Sequence, residues 1–206
     1  MTTKTDTREC ILEAAIQRFL HYGYGKTTMS EIARDCSMSA GNIYRFFASK
    51  LDIAEAMARK FNMELHQELS RIARQDAPAS KRLYRIFEYG LRATYEKLDA
   101  DAKILEVAEV LAHERPAFSN EELAQERIHL IKILKDGVAD GQFAPIEDPA
   151  FTAEMIQSAM MKFKYPQLFS RLSLQQLERE MDGVMAIIFA GLRCGTSANL
   201  QGSIDA

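Results

Sequence analysis

Helix-start signals recur along almost the whole chain, and no other feature narrows its fold so far. Asp6-x-x-Glu9, Thr28-x-x-Glu31, Ser49-x-x-Asp52, Ser119-x-x-Glu122 and Ser173-x-x-Gln176 each set an acid or amide three residues after a small oxygen-bearing side chain. That spacing is a capping box: the first side chain takes an orphan N–H of the opening turn, and the second reaches back to the cap's own N–H. Asp148-Pro149 adds a cap followed by proline at the first helical position, where its missing N–H costs nothing. Between these starts the apolar residues recur at three- and four-residue steps, and no useful stretch alternates with period two. The pattern predicts an all-α chain of about nine helices, near 7–22, 29–36, 40–46, 50–75, 79–97, 101–114, 120–140, 149–165 and 174–193. Gly23 and Gly25, Asp76-Ala77-Pro78, Pro116, Gly141 and Pro166 supply the stops. From Gly195 onward the residues are polar and small, as in a frayed tail. No internal repeat is present.

Composition removes several function classes. With 47% apolar residues and no apolar run near the ~18 that span a bilayer, the sequence predicts no membrane segment. The opening Met1-Thr2-Thr3-Lys4-Thr5-Asp6 lacks the apolar core of a secretory signal, so a cytoplasmic location is expected. Cys10, Cys36 and Cys194 are odd in number and match neither a disulfide framework nor a zinc spacing. Cys10 and Cys36 read as small apolar fillers, with a redox-sensing thiol as the rival reading. His66, His113 and His129 show no paired metal spacing and read as surface or hydrogen-bonded histidines, so neither metal nor cofactor is expected. Net charge is −3, but residues 1–50 hold seven Lys/Arg against five Asp/Glu, and the rest nineteen against twenty-four. A slightly basic head on an acidic body suits a protein that meets nucleic acid with one end.

The two short helices near 29–36 and 40–46 are too small to bury much in an ordinary bundle. They are the size of a helix-turn-helix, whose second helix enters the major groove N-terminus first. Met29, Ile32 and Ala33 of the first would pack on the opening helix and its stripe of Ile11, Leu12, Ala15, Ile16, Phe19 and Leu20. Ile43 with Phe46 or Phe47 of the second would face inward, leaving Ser39, Ala40, Asn42, Tyr44 and Arg45 outside. Gly41 costs helix stability by about 1 kcal/mol relative to Ala, and bare backbone there permits close approach to DNA. Asn42 can pair bidentately with an adenine edge.

The run Thr27-Thr28-Met29-Ser30-Glu31-Ile32-Ala33, followed by Ser39-Ala40-Gly41-Asn42-Ile43-Tyr44-Arg45-Phe46-Phe47-Ala48-Ser49-Lys50, resembles the DNA-binding signature of the TetR family of regulators. The detailed resemblance covers roughly residues 8–60. It implies a three-helix helix-turn-helix domain over 1–50 and a helical effector-binding and dimerisation domain over 51–206. It also implies phosphate contacts from Thr27, Thr28, Tyr44 and Lys50, with Arg45 a further candidate. Two positions depart from the pattern. Ser37 stands where glycine is usual, so either a left-handed backbone costs about 1–2 kcal/mol or the turn relaxes. Leu51 replaces the usual acid after Ser-Lys. Ala40 is short where a longer polar side chain is frequent, so base readout rests on few groups: Asn42, and Ala40 against a thymine methyl.

In the remaining chain Leu177, Met181, Val184, Ile188 and Leu192 stripe the last helix, and Phe151, Met155, Ile156, Met160 and Phe163 stripe the one before. Such stripes are ordinarily core. In the family the last two helices form an intersubunit four-helix bundle, so the resemblance implies a homodimer carrying two recognition helices to a pseudo-palindromic operator. Phe61, Leu65, Tyr84, Phe87, Tyr89, Leu91, Tyr95, Leu105, Leu111, Phe118, Leu134, Met161 and Tyr165 are candidate liners of an effector pocket, against the plainer reading that they fill the core. Their tyrosines and methionines suit an apolar or aromatic effector. No nucleophile–base pair, phosphate loop or metal-binding catalytic motif is present, so an enzyme is not expected. The rival reading is a helical interaction protein that regulates through protein contacts and keeps the helix-turn-helix as scaffold.

Overall fold

A computed structural model of the protein describes residues 4–100, 102–165 and 172–194. Its helices are α1 (Lys4–Tyr22), α2 (Met29–Asp35), α3 (Ala40–Ile43), α4 (Lys50–Ala73), α5 (Ala79–Ala100), α6 (Ala102–Glu114), α7 (Pro116–Ala139), α8 (Pro149–Ala159), α9 (Met161–Lys164) and α10 (Leu174–Cys194). No strand occurs among the described residues.

Several of these boundaries follow from the predicted caps. Glu31 N–H donates to Thr28 Oγ1 at 3.3 Å while Thr28 N–H donates to Glu31 Oε2 at 2.9 Å, a complete box opening α2. Ser173 and Gln176 form the same reciprocal pair ahead of α10, at 3.1 and 3.4 Å. Asp148 Oδ1 accepts from the N–H groups of Ala150 and Phe151, with Pro149 at the first helical position of α8. At α4 only half a box forms: Asp52 N–H donates to Ser49 Oγ, and the Asp52 carboxylate turns to Arg115.

Elsewhere the boundaries differ from the pattern. α1 begins at Lys4, which puts Asp6 inside the helix. Pro116 starts α7 instead of merely stopping α6, so Ser119 and Glu122 lie within a continuous helix and cap nothing. α3 is a single turn over Ala40–Ile43, continued by tighter bonds from Arg45 N–H to Asn42 O and Phe46 N–H to Ile43 O. The expected helix over 149–165 breaks at Met160, which leaves helical geometry at ψ 3° with no glycine or proline to mark it.

The described residues divide into two compact units, one drawn from Met1–Glu64 and Lys97–Glu122, the other from Leu65–Glu96 and Leu123–Ala206. In the first, Ile11, Ala15 and Phe19 of α1, Ile32 and Ala33 of α2, Ile43, and Ile53 and Ala54 of α4 are fully buried. Val107, Leu111 and Phe118 close the same cluster. Each large apolar side chain so buried stabilises the fold by about 1.5–3 kcal/mol. Across this core Arg18 on α1 grips Asp35 of α2 through two bonds, at 2.5 and 3.1 Å.

The second unit is centred on Leu83, Leu91, Leu130, Ile133, Leu134, Leu177 and Met181. Gly137 lets Phe143 close over α7, since a Cβ there would collide with its ring. One cation enters this core. Arg82 is 5% exposed and donates from Nη1 to Ala73 O at the end of α4 and to Asp136, each at 2.7 Å.

Candidate nucleic-acid interface

The residues that would meet DNA hang on the turn between α2 and α3. Ser37 there adopts φ 54°, the left-handed region that glycine normally supplies, so the turn keeps its shape and carries the side-chain penalty. Ser39 then caps α3, accepting from Asn42 N–H at 3.3 Å. This single turn is held from beneath by Ile43 and Phe47, both buried, with the Arg8 guanidinium 4.4 Å from the Phe47 ring. Its outer face carries Ser39, Ala40, Gly41, Tyr44 and Arg45, all exposed, and half-buried Asn42. A Cβ at Gly41 would meet nothing within 4 Å, so this backbone lies bare on the surface. Tyr44 is 54% exposed, unusual for a large ring without a partner surface.

Three of the expected phosphate ligands make bonds within the protein. Thr27 is 1% exposed, and its hydroxyl donates inward to Gly23 O at 2.9 Å, so it cannot reach a phosphate in this conformation. Thr28 beside it is exposed, but its oxygen belongs to the capping box, and its hydrogen bonds hold the Glu31 carboxyl below the ordinary range. Lys50 donates from Nζ to Tyr24 O at 2.7 Å and Thr27 O at 2.8 Å, with the ammonium 4.1 Å from the Tyr24 ring centroid. Burial lowers its pKa against the opposing pull of Glu106 and Glu31. The lysine thus pins the α1–α2 loop in this conformation. A lone Ser-Lys dipeptide carries no sign of this, because both acceptors are backbone carbonyls more than twenty residues away.

The same loop is held from its other side by α6, a contact the sequence reading did not anticipate. Glu106 accepts from Tyr24 N–H at 3.0 Å and Gly25 N–H at 2.7 Å. Lys103 donates to the last carbonyls of α1, those of Leu20 and His21. Gly23 sits at φ 90°, and a Cβ there would lie 2.7 Å from the Glu106 carboxylate. Two successive N–H groups facing one carboxylate form a small anion-binding nest. The Gly-Tyr-Gly spacing was the available signal for it.

Two protein-family models match the chain. One, described as bacterial regulatory proteins of the tetR family, matches residues 11–57. The other, a tetracyclin repressor-like C-terminal domain, matches residues 79–185, more than half the chain. The chain belongs to the TetR family. It is therefore a DNA-binding transcriptional regulator, and α2–α3 is its helix-turn-helix. Among relatives of this TetR regulator, an uncharacterized HTH-type transcriptional regulator of Bacillus subtilis, YhgD, is 26% identical over 159 residues, 72% of this chain and 77% of that one. The HTH-type transcriptional repressor KstR2 of Mycobacterium tuberculosis is 24% identical over 185 residues, 88% of this chain and 90% of that one. A solved structure of FadR from Thermus thermophilus, a TetR-family repressor in complex with lauroyl-CoA, shares the fold with TM-score 0.67 at 16% identity. It covers 90% of this chain and 94% of its own.

The other expected sites of this TetR regulator divide on inspection. Of the stripes proposed for dimerisation, Ile156, Met160, Phe163, Leu177, Met181 and Leu192 are buried in the second unit's own core, where no partner can touch them. Val184 and Ile188 are half-buried against that core. On α8 and α10 the large apolar residues left outside are Phe151, Met155 and Ile187, the last 75% exposed and absent from the predicted stripe; Ile128 on α7 is exposed as well. The three-four stepping identified the buried face of α10 and missed the residue beside it.

Of the candidate pocket liners, Leu111 and Phe118 are buried in the first unit and Phe61 packs against the same cluster. Leu91 and Leu134 are buried in the second, and Leu65, Tyr84, Phe87, Tyr89 and Tyr95 pack partly on it. Leu105, Met161 and Tyr165 are half-buried. Tyr84 directs its hydroxyl to Asp182 Oδ1 at 2.7 Å, and burial with that bond pushes the phenol up to about 12. A groove of about 390 Å³ in the first unit shares none of these residues; Arg8, Arg59, Arg115, Asp52 and Glu55 wall it together with Phe46, Phe47, Ala48 and Ala56. No helix among the described residues is long and apolar enough to cross a membrane.

Proposed function

We propose that the protein is a repressor that binds a pseudo-palindromic operator as a homodimer and is released by an apolar, acyl-type effector. The bare, exposed face of α3 carries this reading: Gly41 admits a phosphate or base edge, and Asn42 and Tyr44 flank it. Ser39, Ala40, Gly41, Asn42, Tyr44 and Arg45 make the DNA contacts, joined by Thr28 at the start of α2. Asn42 reads a base, and Ala40 touches a thymine methyl where one is present. Tyr44 and Arg45 hold phosphates. Phe151, Met155 and Ile187 cover one another's counterparts in the dimer, and each protomer brings one α3 helix to the operator, whose half-sites lie roughly 34 Å apart.

The effector class rests on the apolar, aromatic character of the candidate liners and on the lauroyl-CoA held by the Thermus thermophilus repressor of like fold. The effector acts by binding better to a form whose recognition helices are wrongly spaced. α6 is the element suited to pass that change on, because Glu106 and Lys103 grip the α1–α2 loop. Residues 1–50 bind DNA, and 51–206 bind effector and partner. Such a regulator works in the cytoplasm, performs no catalysis and requires neither metal nor cofactor.

Fluorescence anisotropy on duplexes from upstream of the protein's own gene tests the reading. Saturable binding of two protomers per duplex is expected, weakened at least tenfold by Asn42→Ala and by Tyr44→Ala with the fold intact. Wild-type affinity in both variants would point to the helical interaction protein instead. Release by lauroyl-CoA and other long acyl thioesters, with none by acetyl-CoA, is the expected effector result. No release by any chain length would remove the acyl part alone.

A further inference from the structure

Neither the helix-turn-helix nor the dimer face uses the two cysteines of the first unit, yet these lie against each other. Cys10 sits on α1 with its side chain exposed, and Cys36 is the C-terminal cap of α2. The Cys36 thiol donates to the Cys10 carbonyl oxygen at 3.6 Å. The residue after Cys36 is Ser37, the left-handed turn that aims α3. Nothing in the packing of α1 or α2 requires sulfur at either place, since Cys10 is outside the core and Cys36 only borders it.

We propose that Cys10 and Cys36 are a peroxide-sensitive thiol pair whose intramolecular disulfide pulls the helix-turn-helix turn toward α1 and lowers operator affinity. The affinity half rests on the operator-binding reading above. Exposure makes Cys10 the thiol that an oxidant meets. Cys36, half-buried with its thiol 3.6 Å from the Cys10 carbonyl oxygen, is the neighbouring sulfur placed to resolve a sulfenic acid there. In the first step the Cys10 thiolate attacks hydrogen peroxide. An S–O bond forms, the O–O bond breaks and hydroxide leaves, giving a sulfenic acid. Cys36 sulfur then attacks Cys10 sulfur; the S–S bond forms, the S–O bond breaks, and the departing hydroxide takes the Cys36 proton as water. In sum, two thiols lose two electrons and one peroxide becomes two waters. A dithiol reductant reverses the linkage by thiol–disulfide exchange.

The effect follows from position. Closing an S–S bond to its length of about 2.05 Å draws the Cys36 backbone toward α1. Only Ser37, Met38 and Ser39 separate that backbone from the first residue of α3, so the displacement is delivered to the recognition helix.

Full-length, reduced protein treated with equimolar hydrogen peroxide provides the test. Mass mapping after thiol blocking is expected to show a Cys10–Cys36 peptide pair lighter by two hydrogens, absent in Cys10→Ser and in Cys36→Ser and retained in Cys194→Ser. Operator affinity is expected to fall about tenfold on oxidation and to recover with dithiothreitol, while Cys36→Ser holds within twofold. Two results would each overturn the proposal: sulfenic acid accumulating at Cys10 with no link to Cys36, or a quantitative link with operator affinity unchanged. If the reduced protein binds no duplex at all, the operator reading fails and takes the switch with it. The mass map still reports separately on the thiol pair.

Discussion

Lys50 separates two accounts of the start of α4, and replacing it with methionine distinguishes them. Methionine keeps an unbranched stem of similar length and removes the charge. The loss is two hydrogen bonds, at 2.7 and 2.8 Å, and a cation placed 4.1 Å from the Tyr24 ring. Hydrogen bonds to charged groups contribute about 1.5–3 kcal/mol each when buried. Lys50 is half-buried, so water replaces part of that, and roughly 1 kcal/mol per bond is the fitting figure. The cation–π contact adds about 0.5–1 kcal/mol. Lys50→Met should therefore cost about 2–3 kcal/mol, which for a chain of this size lowers Tm by roughly 4–12 °C. Differential scanning fluorimetry without DNA reads this directly. A phosphate ligand predicts the opposite pair of results: an unchanged Tm, and a salt slope of operator binding shallower by about 0.9. That pair would refute the assignment of Lys50 to the loop.

Three further perturbations test the packing around the same unit and its companion. Gly23→Ala should destabilise by at least the left-handed penalty of about 1–2 kcal/mol, because φ is 90° and the new Cβ displaces Glu106; an unchanged urea midpoint would refute it. Ser37→Gly should raise Tm, since it removes that penalty at φ 54° and adds only about 0.5–1 kcal/mol of chain entropy cost. In the second unit burial disfavours the Asp136 carboxylate, but its bonds to Lys132 and Arg82 prevail and hold its pKa below the ordinary value. A depressed carboxyl stabilises above the unfolded value near 3.9 and loses that contribution as pH falls through the folded one. Urea titrations from pH 6 to 3 should thus show a fall in stability that Asp136→Asn diminishes.

The helical content was legible because α2, α8 and α10 open on side chains that satisfy their own first turns, a signal confined to four consecutive residues. Ser119-x-x-Glu122 carried the same letters and lay mid-helix, since Pro116 had already set the first turn three residues earlier. The missing glycine at Ser37 left either a strained or a relaxed turn open, and φ 54° decides for the strained one. The internal bonds of Thr27 and Lys50 were not legible for a common reason: a hydroxyl or ammonium that bonds backbone carbonyls leaves no trace in the identity of its acceptors. The stripe of α10 located its buried face, whereas Ile187 beside it, which the stepping passes over, is the exposed one. Glu106 escaped notice because its partners are N–H groups that every residue except proline possesses. Only the two glycines beside them hinted that something approaches closely.

The nest that receives Glu106 bears on how freely such regulators can be recombined. A chimera joined after residue 50, carrying this DNA-reading segment on another regulator's body, would leave Glu106 and Lys103 behind. The Tyr24 and Gly25 N–H groups would face whatever side chain the recipient's sixth helix happened to offer. The transplantable module is instead two-piece: the segment through α4's first turns together with the α6 stretch that latches it. Grafts that carry both pieces should keep the donor's operator preference, and α6 then becomes the strip along which donor and recipient have to be matched.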